Sequence, residues 1–91
     1  MSRRVHVLIS GQVQGVGYRY STYREARARQ LTGWVRNLPD GRVEAVFVGG
    51  EAALQGMVEW CREGPRGASV SHVACTWSEG AEDEASFVIR S

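Results

Sequence analysis

The spacing of hydrophobic residues in the first third of the chain predicts a strand, a loop and a helix. Residues 5–9 are rich in valine and isoleucine and are followed by Ser10-Gly11, which is typical of a strand. Three glycines lie within residues 11–17, and residues 18–30 then hold good helix formers with neither glycine nor proline. The apolar side of this predicted helix is formed by Tyr20, Tyr23, Ala26 and Leu31.

Four later runs have the composition and alternation of strands. They are residues 32–37, 42–48, 70–77 and 87–90. The first two flank a Leu-Pro-Asp-Gly turn at residues 38–41, so together they predict a β-hairpin. In the second strand of the hairpin, one face is formed by Val43, Ala45 and Phe47. Residues 81–84 predict an acidic turn before the last strand.

The stretch from Glu51 to Arg62 predicts the clearest helix, and Gly64-Pro65 ends it. Its apolar face follows the spacing i, i+3, i+4, i+7 in Leu54, Met57, Val58 and Cys61. The order is therefore β-α-β-β-α-β with one more strand, the pattern of a ferredoxin-like fold. We expect an α+β two-layer sandwich, with an antiparallel sheet and both helices on one face. No linker or repeat divides the chain, so residues 1–91 are expected to form a single domain.

The composition excludes several chemistries and settings. All eleven basic residues are arginine, so there is no lysine for a Walker-type phosphate site, a Schiff base or a general base. Cys61 and Cys75 match no zinc or redox spacing, and we expect two reduced cysteines in a cytoplasmic protein. No apolar run approaches the roughly 18 residues of a membrane span, and no secretory signal is evident.

The two halves of the chain differ in charge. Residues 1–45 carry eight arginines against three acids, whereas residues 46–91 carry three arginines against seven acids. A basic half favours an anionic partner, and both a nucleic acid and a small anion fit that description.

The segment from Ile9 to Arg19, ISGQVQGVGYR, favours the small anion. It leads from a strand through a glycine-rich loop into a helix, whose first N–H groups have no internal acceptor. Glycines let successive N–H groups point to one place, and Arg19 adds a fork that can bind two phosphate oxygens. Competing phosphate motifs fail. Tyr20 replaces the third glycine of a dinucleotide site, and Cys61 and Arg66 are one residue too close for a cysteine phosphatase.

Two ordered signatures are similar to those of a known family. The segment Ile9–Arg19 matches a hydrophobic residue followed by x-G-x-V-Q-G-V-x-F-R. The second signature is matched by Gly33–Asn37 (GWVRN) with Gly41–Glu44 (GRVE). On these segments the chain resembles the acylphosphatase family over its whole length. The resemblance implies hydrolysis of the carboxyl–phosphate bond of acyl phosphates, without metal or cofactor. We expect a monomer that binds this small molecule and neither nucleic acid nor membrane.

The resemblance also implies the site residues. The essential arginine of the family corresponds to Arg19 and its essential asparagine to Asn37. Backbone amides of the loop would bind the phosphate, at Gln14, Gly15, Val16, Gly17, Tyr18 and Arg19. Tyr18 stands where Phe or Met is usual, and its hydroxyl is expected at the surface. Arg29-Gln30 stands where Leu-Gly is common, which removes a helix-ending glycine.

The implied chemistry needs few groups. A carboxylate leaving group, with a pKa of about 4, needs little help from a general acid. Arg19 and the loop N–H groups would spread the charge of the phosphoryl group, and Asn37 would orient a water without acting as a strong base. We expect the strand before the loop and the strand that ends at Asn37 to be neighbours, so that the two side chains converge.

Two alternatives stay open at this point. A non-catalytic ferredoxin-like module could bind RNA or a small anion, although residues 5–9 lack the aromatic side chains that RNA-binding sheets use. An acylphosphatase-like domain can also handle carbamoyl phosphate within a large hydrogenase maturation protein. The tryptophans and phenylalanines are expected in the core or on a sheet face rather than in a stacking platform.

Overall fold

The chain forms five strands and two helices in the residues that the computed structural model describes, 2–80 and 85–91. In chain order they are β1 (Arg3–Gln12), α1 (Tyr18–Ala28), β2 (Thr32–Asn37), β3 (Val43–Gly49), α2 (Glu51–Glu63), β4 (Ser69–Glu79) and β5 (Phe87–Ile89). This order confirms the predicted pattern, with β5 as the additional strand. The acidic turn predicted at 81–84 lies outside the described residues. Neither described helix is both long and apolar enough to cross a membrane.

The strands form one sheet in the order β4-β1-β3-β2-β5. Antiparallel pairs join β1 to β3, β1 to β4 and β2 to β3, whereas β5 runs parallel to β2. The predicted antiparallel sheet is therefore confirmed for β1 to β4, and the additional strand β5 adds one parallel pair to it. The expectation that β1 and β2 are neighbours is wrong. The short hairpin connection keeps β3 beside β2, and β3 then fills the position between β2 and β1.

The core lies on the face of the sheet that the helices cover. Strands β1 and β3 bury alternate residues there because successive side chains of a strand point to opposite faces. These fully buried residues are Val5, Val7, Ile9, Val43, Ala45 and Phe47. Helix α2 covers them with the predicted stripe of Leu54, Met57, Val58 and Cys61, all buried. Each large aliphatic side chain buried in this way stabilises the fold by about 1.5–3 kcal/mol.

Helix α1 buries only part of the predicted apolar face, because Ala26 is buried and Tyr20 is not. Its buried residues are Tyr18, Thr22 and Ala26, spaced four apart. Tyr20, expected in the core, is 59% exposed. The hydroxyl of Thr22 is buried without penalty because it donates to the Tyr18 carbonyl at 2.7 Å. The bulky side chain of Tyr20 made it a candidate for the buried face. The small residues Thr22 and Ala26 are buried instead, because they allow the helix to pack closely on the sheet.

The C-terminal end of α1 shows the effect of Arg29-Gln30. The helix ends at Ala28 rather than Gln30, and Gln30 has a φ of 59°, in the left-handed region that glycine occupies most easily. Arg29 donates to a Glu25 carboxylate oxygen at 2.8 Å. Its guanidinium also lies against Gly56 of α2, where an added Cβ would come within 2.3 Å of Nη1. A paired arginine thus fills the space between the two helices.

The opposite face of the sheet has no helix over it in the described chain. A small apolar cluster of Trp34, Val46, Val48 and Val88 lies there. The guanidinium groups of Arg36 and Arg90 lie over the Trp34 ring, at 5.4 and 4.7 Å from its centroid. Trp34 is therefore a sheet-face residue, as predicted, and its ring is covered by side chains of the chain itself.

Candidate active site

The loop between β1 and α1 is shaped by two glycines. Gly15 and Gly17 have φ values of 77° and 79°. A Cβ at either position would meet no heavy atom within 4 Å. The backbone conformation, and not a lack of space, is what favours glycine here. Left-handed residues in a short loop turn consecutive N–H groups toward one side, which is the geometry of an anion-binding concavity.

The N-terminus of α1 is open to an anion. Gly17 precedes the helix, no side chain of the described residues caps it, and its first turn holds no acid. The first helical bond of the backbone joins the Ser21 N–H to the Gly17 carbonyl at 3.0 Å. The N–H groups of Tyr18, Arg19 and Tyr20 precede it and have no acceptor within the helix. Together with the helix dipole, they provide a site that favours negative charge.

A cavity of about 240 Å³ lies against this helix start. It is lined by Val13, Gln14, Gly15, Gly17, Tyr18, Arg19, Tyr20, Asn37 and Ile89. The two predicted catalytic residues, Arg19 and Asn37, therefore share one cavity with most of the predicted phosphate loop. Val16 is the exception. Its side chain packs against the core and it is not among the lining residues, so its role as a backbone donor stays a prediction.

Three lining residues, Val13, Tyr20 and Ile89, were not among the predicted site residues. Val13 lies in the Ile9–Arg19 segment but was given no part in the site. Tyr20 was assigned to the core of the protein, and Ile89 was given no role. Ile89 comes from β5, and its position at the cavity depends on the parallel pairing of that strand with β2. No local pattern in three strand residues indicates which strand they will join, so the sequence carried no signal for Ile89.

Gln14 explains how the loop reaches the end of β2 although β3 lies between β1 and β2. Its Nε2 donates to the carbonyls of Leu38 and Arg42, at 2.8 and 3.0 Å. Both carbonyls belong to the turn that connects β2 to β3. The Gln14 side chain thus joins the phosphate loop to the segment that directly follows Asn37, and it helps to hold the two halves of the site together although their strands are not adjacent.

Arg19 differs from most other arginines of the chain. Several of those form ion pairs with acids: Arg3 with Glu51, Arg29 with Glu25, Arg36 with Glu44, Arg42 with Asp40 and Arg62 with Glu59. Arg19 is partly buried on the cavity wall, and no acid or ring of the described chain contacts its guanidinium. Arg66 shares this lack of a partner but is exposed in the turn after α2. An unpaired guanidinium beside free N–H groups suits a phosphate.

Asn37 also has an unused polar group. Its Oδ1 is buried and accepts no hydrogen bond from any described residue. Buried acceptors without a partner are uncommon in native proteins, and those that do occur often serve a function or bind a water. A half-turn of the amide exchanges its oxygen and nitrogen, so the group can present either an acceptor or two donors toward the cavity.

The prediction that the Tyr18 hydroxyl lies at the surface is wrong. Tyr18 is 1% exposed, and its hydroxyl donates to the Cys61 carbonyl at 2.7 Å. The usual helical donor to that carbonyl is the N–H of residue 65, and Pro65 has none. Tyr18 supplies the missing donor and so ties the start of α1 to the end of α2. Burial raises the pKa of the Tyr18 hydroxyl well above its usual range.

Neither Cys61 nor His6 offers a competing site. Cys61 is fully buried, and burial raises the pKa of its thiol to about 12, so the nucleophilic thiolate is absent at neutral pH. Among the described residues, no three histidine, cysteine or acidic side chains converge where a metal ion could bind. His6 lies away from the cavity, with its Nε2 2.7 Å from a Glu44 carboxylate oxygen.

Comparisons with known proteins agree with this geometry. The model of the family described as Acylphosphatase matches residues 5–89. The chain is 58% identical to an acylphosphatase of Trichormus variabilis over 76 residues, which cover 84% of this chain and 75% of that protein. It is 51% identical to an acylphosphatase of Chloroflexus aurantiacus over 86 residues, 94% of each chain. The crystal structure of acylphosphatase from Bacillus subtilis superposes with a TM-score of 0.94 at 39% identity, covering 98% of this chain and 99% of the other.

The family model thus spans nearly the whole chain, and the similarity to the relatives extends through the loop, the hairpin and both helices. The ferredoxin-like arrangement predicted from the sequence is also that of the Bacillus subtilis structure. By sequence and by fold, the chain belongs to the acylphosphatase family.

Proposed function

We propose that the cavity at the start of α1 hydrolyses the carboxyl–phosphate bond of acyl phosphates, with Arg19 and the loop amides binding the phosphate and Asn37 orienting the water. One observation carries this assignment. Arg19 and Asn37 face the same cavity as the uncapped helix N-terminus, and both have polar groups that no described residue satisfies. These unused donors and acceptors match a phosphate and a water.

The phosphate would be bound by two kinds of donor. The N–H groups of the loop and of the first helical turn are fixed in space, and the Arg19 guanidinium adds a full positive charge. Phosphoryl transfer needs its catalyst mainly to position the group and to stabilise the charge on its oxygens. Fixed donors accomplish this without reorganising during the reaction.

The reaction itself transfers the phosphoryl group to water. The oxygen of a water next to Asn37 attacks phosphorus in line with the acyl oxygen, and the bond between phosphorus and that oxygen breaks. The electron pair leaves on the carboxylate, which at a pKa of about 4 needs no proton from the enzyme. The proton of the attacking water passes to a phosphate oxygen, since the Asn37 amide neither accepts nor donates a proton in this pH range.

One chain brings Arg19, Asn37 and the phosphate loop together at the cavity, so the proposed reaction requires no residue from a second copy. We therefore propose that the protein acts as a monomer on a small molecule. An RNA-binding role is not favoured. The ring of Trp34 on the open sheet face is covered by Arg36 and Arg90, and β1 contains no Phe, Tyr or Trp.

The proposal is tested by assaying benzoyl phosphate hydrolysis in the presence of EDTA. The unaltered protein should turn the substrate over, and Asn37→Ala should lower kcat by about 100-fold because the water is no longer oriented. The inhibition constant of inorganic phosphate should change by less than about threefold, since its binding groups remain.

Gln55→Ala serves as the matched control, because it truncates an exposed amide side chain on α2, away from the cavity. Full turnover by Asn37→Ala would contradict the role of Asn37. Loss of turnover by the unaltered protein in EDTA would contradict hydrolysis without metal.

A further inference from the structure

Two apolar side chains at the cavity are not explained by phosphate binding. Within residues 2–80 and 85–91, the large hydrophobic residues that remain exposed are Tyr20, at 59%, and Ile89, at 42%. They come from α1 and β5, which are far apart in the sequence. Both nevertheless line the cavity that contains Arg19 and Asn37. Exposed apolar groups that converge on one concave site indicate a ligand with apolar surface.

Ile89 faces the cavity because the core ends just before it. In the parallel pair, Phe87 lies beside Gly33 and Ile89 lies beside Val35. Phe87 and Ile89 are two residues apart and therefore share the helix-covered face, as do Val35 and Asn37. Phe87 and Val35 are completely buried, whereas Ile89, at the end of the strand, is exposed and lines the cavity. Its side chain thus forms an apolar wall on the Asn37 side of the site.

Tyr20 lines the same cavity from α1. It follows Arg19 directly in the first turn of α1. Its ring stacks on Tyr23, with centroids 6.1 Å apart and an angle of 25°, and the Arg24 guanidinium lies 6.0 Å from its centroid. These neighbours restrict the ring without covering it, which lowers the entropy that a ligand contact would cost.

We propose that Tyr20 and Ile89 form the subsite for the acyl group, and that they select acyl phosphates with a flat, apolar acyl group such as an aromatic ring. This inference rests on the proposed function. With the phosphate at the helix start beside Arg19, the acyl group would contact the exposed apolar part of the cavity lining, to which these two side chains contribute. Contact removes apolar surface of both partners from water, and an aromatic acyl group can also pack on the Tyr20 ring. An acetyl group offers a single methyl for this contact.

The test compares kcat/KM for benzoyl phosphate and acetyl phosphate in Tyr20→Ala and Ile89→Thr. Threonine keeps the β-branched shape that a strand position favours while it removes apolar surface. In the unaltered protein the ratio of benzoyl to acetyl kcat/KM should exceed one. Each substitution should lower that ratio about tenfold, the lower end of the range that a small change in an apolar pocket produces. Tyr20→Phe, which retains the ring, should keep the ratio.

Val88→Thr is the matched control, because it makes the same kind of change on the same strand but on the opposite face of the sheet. The ratio should not change in this variant. The inhibition constant of inorganic phosphate should stay within about twofold in both cavity variants, because the phosphate groups are untouched.

The inference is overturned if Tyr20→Ala and Ile89→Thr lower the activity on both substrates equally, or leave the ratio as it was. Failure of the proposed function gives a different result. The unaltered protein would then hydrolyse neither compound, and the inference would fall with it.

Discussion

The N-termini of the two helices begin alike and are used differently. Each helix follows a glycine, Gly17 for α1 and Gly50 for α2, and no side chain of the described residues caps either one. The first turn of α2 contains Glu51, whose carboxylate lies 2.7 Å from an Arg3 guanidinium nitrogen. The first turn of α1 contains no acid and instead places Arg19 on a cavity wall.

The difference shows how a chain turns a common structural element into a binding site. A helix N-terminus favours negative charge wherever it occurs. In α2 the chain supplies that charge from Glu51, so the helix start contributes to stability alone. The first turn of α1 has no acid and carries Arg19 as a second positive group. An anion from solution can therefore bind at this helix start. Substitutions at the two helix starts, and at the contacts that hold them, should therefore have different consequences.

Removing the positive group of α1 should have the largest effect. Arg19→Ala takes away the guanidinium that stabilises the phosphoryl charge, and it should lower kcat/KM for acyl phosphate hydrolysis by roughly 10³-fold. The inhibition constant of inorganic phosphate should rise as well. Arg66→Ala is the matched control, because it removes another arginine without a partner that lies outside the cavity. An equal loss in both variants would mean that only the overall charge of the protein matters.

Uncoupling the α1 loop from the hairpin turn should have the next largest effect. Gln14→Leu removes both hydrogen bonds to the Leu38 and Arg42 carbonyls, so the phosphate and the Asn37 side chain lose their fixed separation. We expect kcat to fall about tenfold for benzoyl and acetyl phosphate alike, since both depend on that separation. Gln12→Leu, at an exposed position before the loop, should leave kcat unchanged. A selective loss for one substrate would argue against a positioning role.

Removing the link between the start of α1 and the end of α2 should affect stability. Tyr18→Phe leaves the buried Cys61 carbonyl without a donor, because Pro65 has no N–H, and should lower the free energy of unfolding by about 1–2 kcal/mol. Urea denaturation measures the change. Tyr23→Phe, which removes an exposed hydroxyl bonded to Arg27, should cost less than about 0.5 kcal/mol. Equal losses of unfolding free energy in the two variants would show that the buried hydrogen bond stabilises the fold no more than the exposed one.

Removing the internal acid of α2 should have the smallest effect. Glu51→Gln eliminates an exposed charge at the helix start and its pair with Arg3, and should lower the free energy of unfolding by about 0.5 kcal/mol. Because salt screens exposed charges, the difference should shrink at high ionic strength. Phosphate inhibition should be unaffected. A change in phosphate binding would mean that the two helix starts do not act separately.

Local patterns in the sequence were enough to predict the hairpin, helix α2 and the anion loop. Each of these signals involves residues that are close together in the sequence: the Asp-Gly turn, the stripe of Leu54 and Met57, and the glycines around Val16. The resemblance in two signatures identified Arg19 and Asn37 as candidate site residues, and the fold places both at one cavity.

Features that depend on distant partners were not predicted. The parallel pairing of β5 is decided by which strand edge is left free, and three residues carry no such information. The buried Tyr18 hydroxyl depends on a carbonyl 43 positions away. A signal for it did exist, because Pro65 after a helix implies a carbonyl without its helical donor at Cys61. The burial of Thr22 in place of Tyr20 was decided by close packing of α1 on the sheet.

The directions of β1 and β5 determine which end of the fold is suited to attachment to a solid surface. Arg3 pairs with Gly49 and Glu79 at the end of the strands away from the loop, about 30 Å from the other end of the ten-residue strand β1. Ile89, in contrast, forms part of the cavity wall. A surface tether joined ahead of Arg3 would leave the cavity facing the solution, whereas one joined just beyond Ile89 would crowd the path of the substrate. For an immobilised catalyst or a sensor, β1 is therefore the end to anchor.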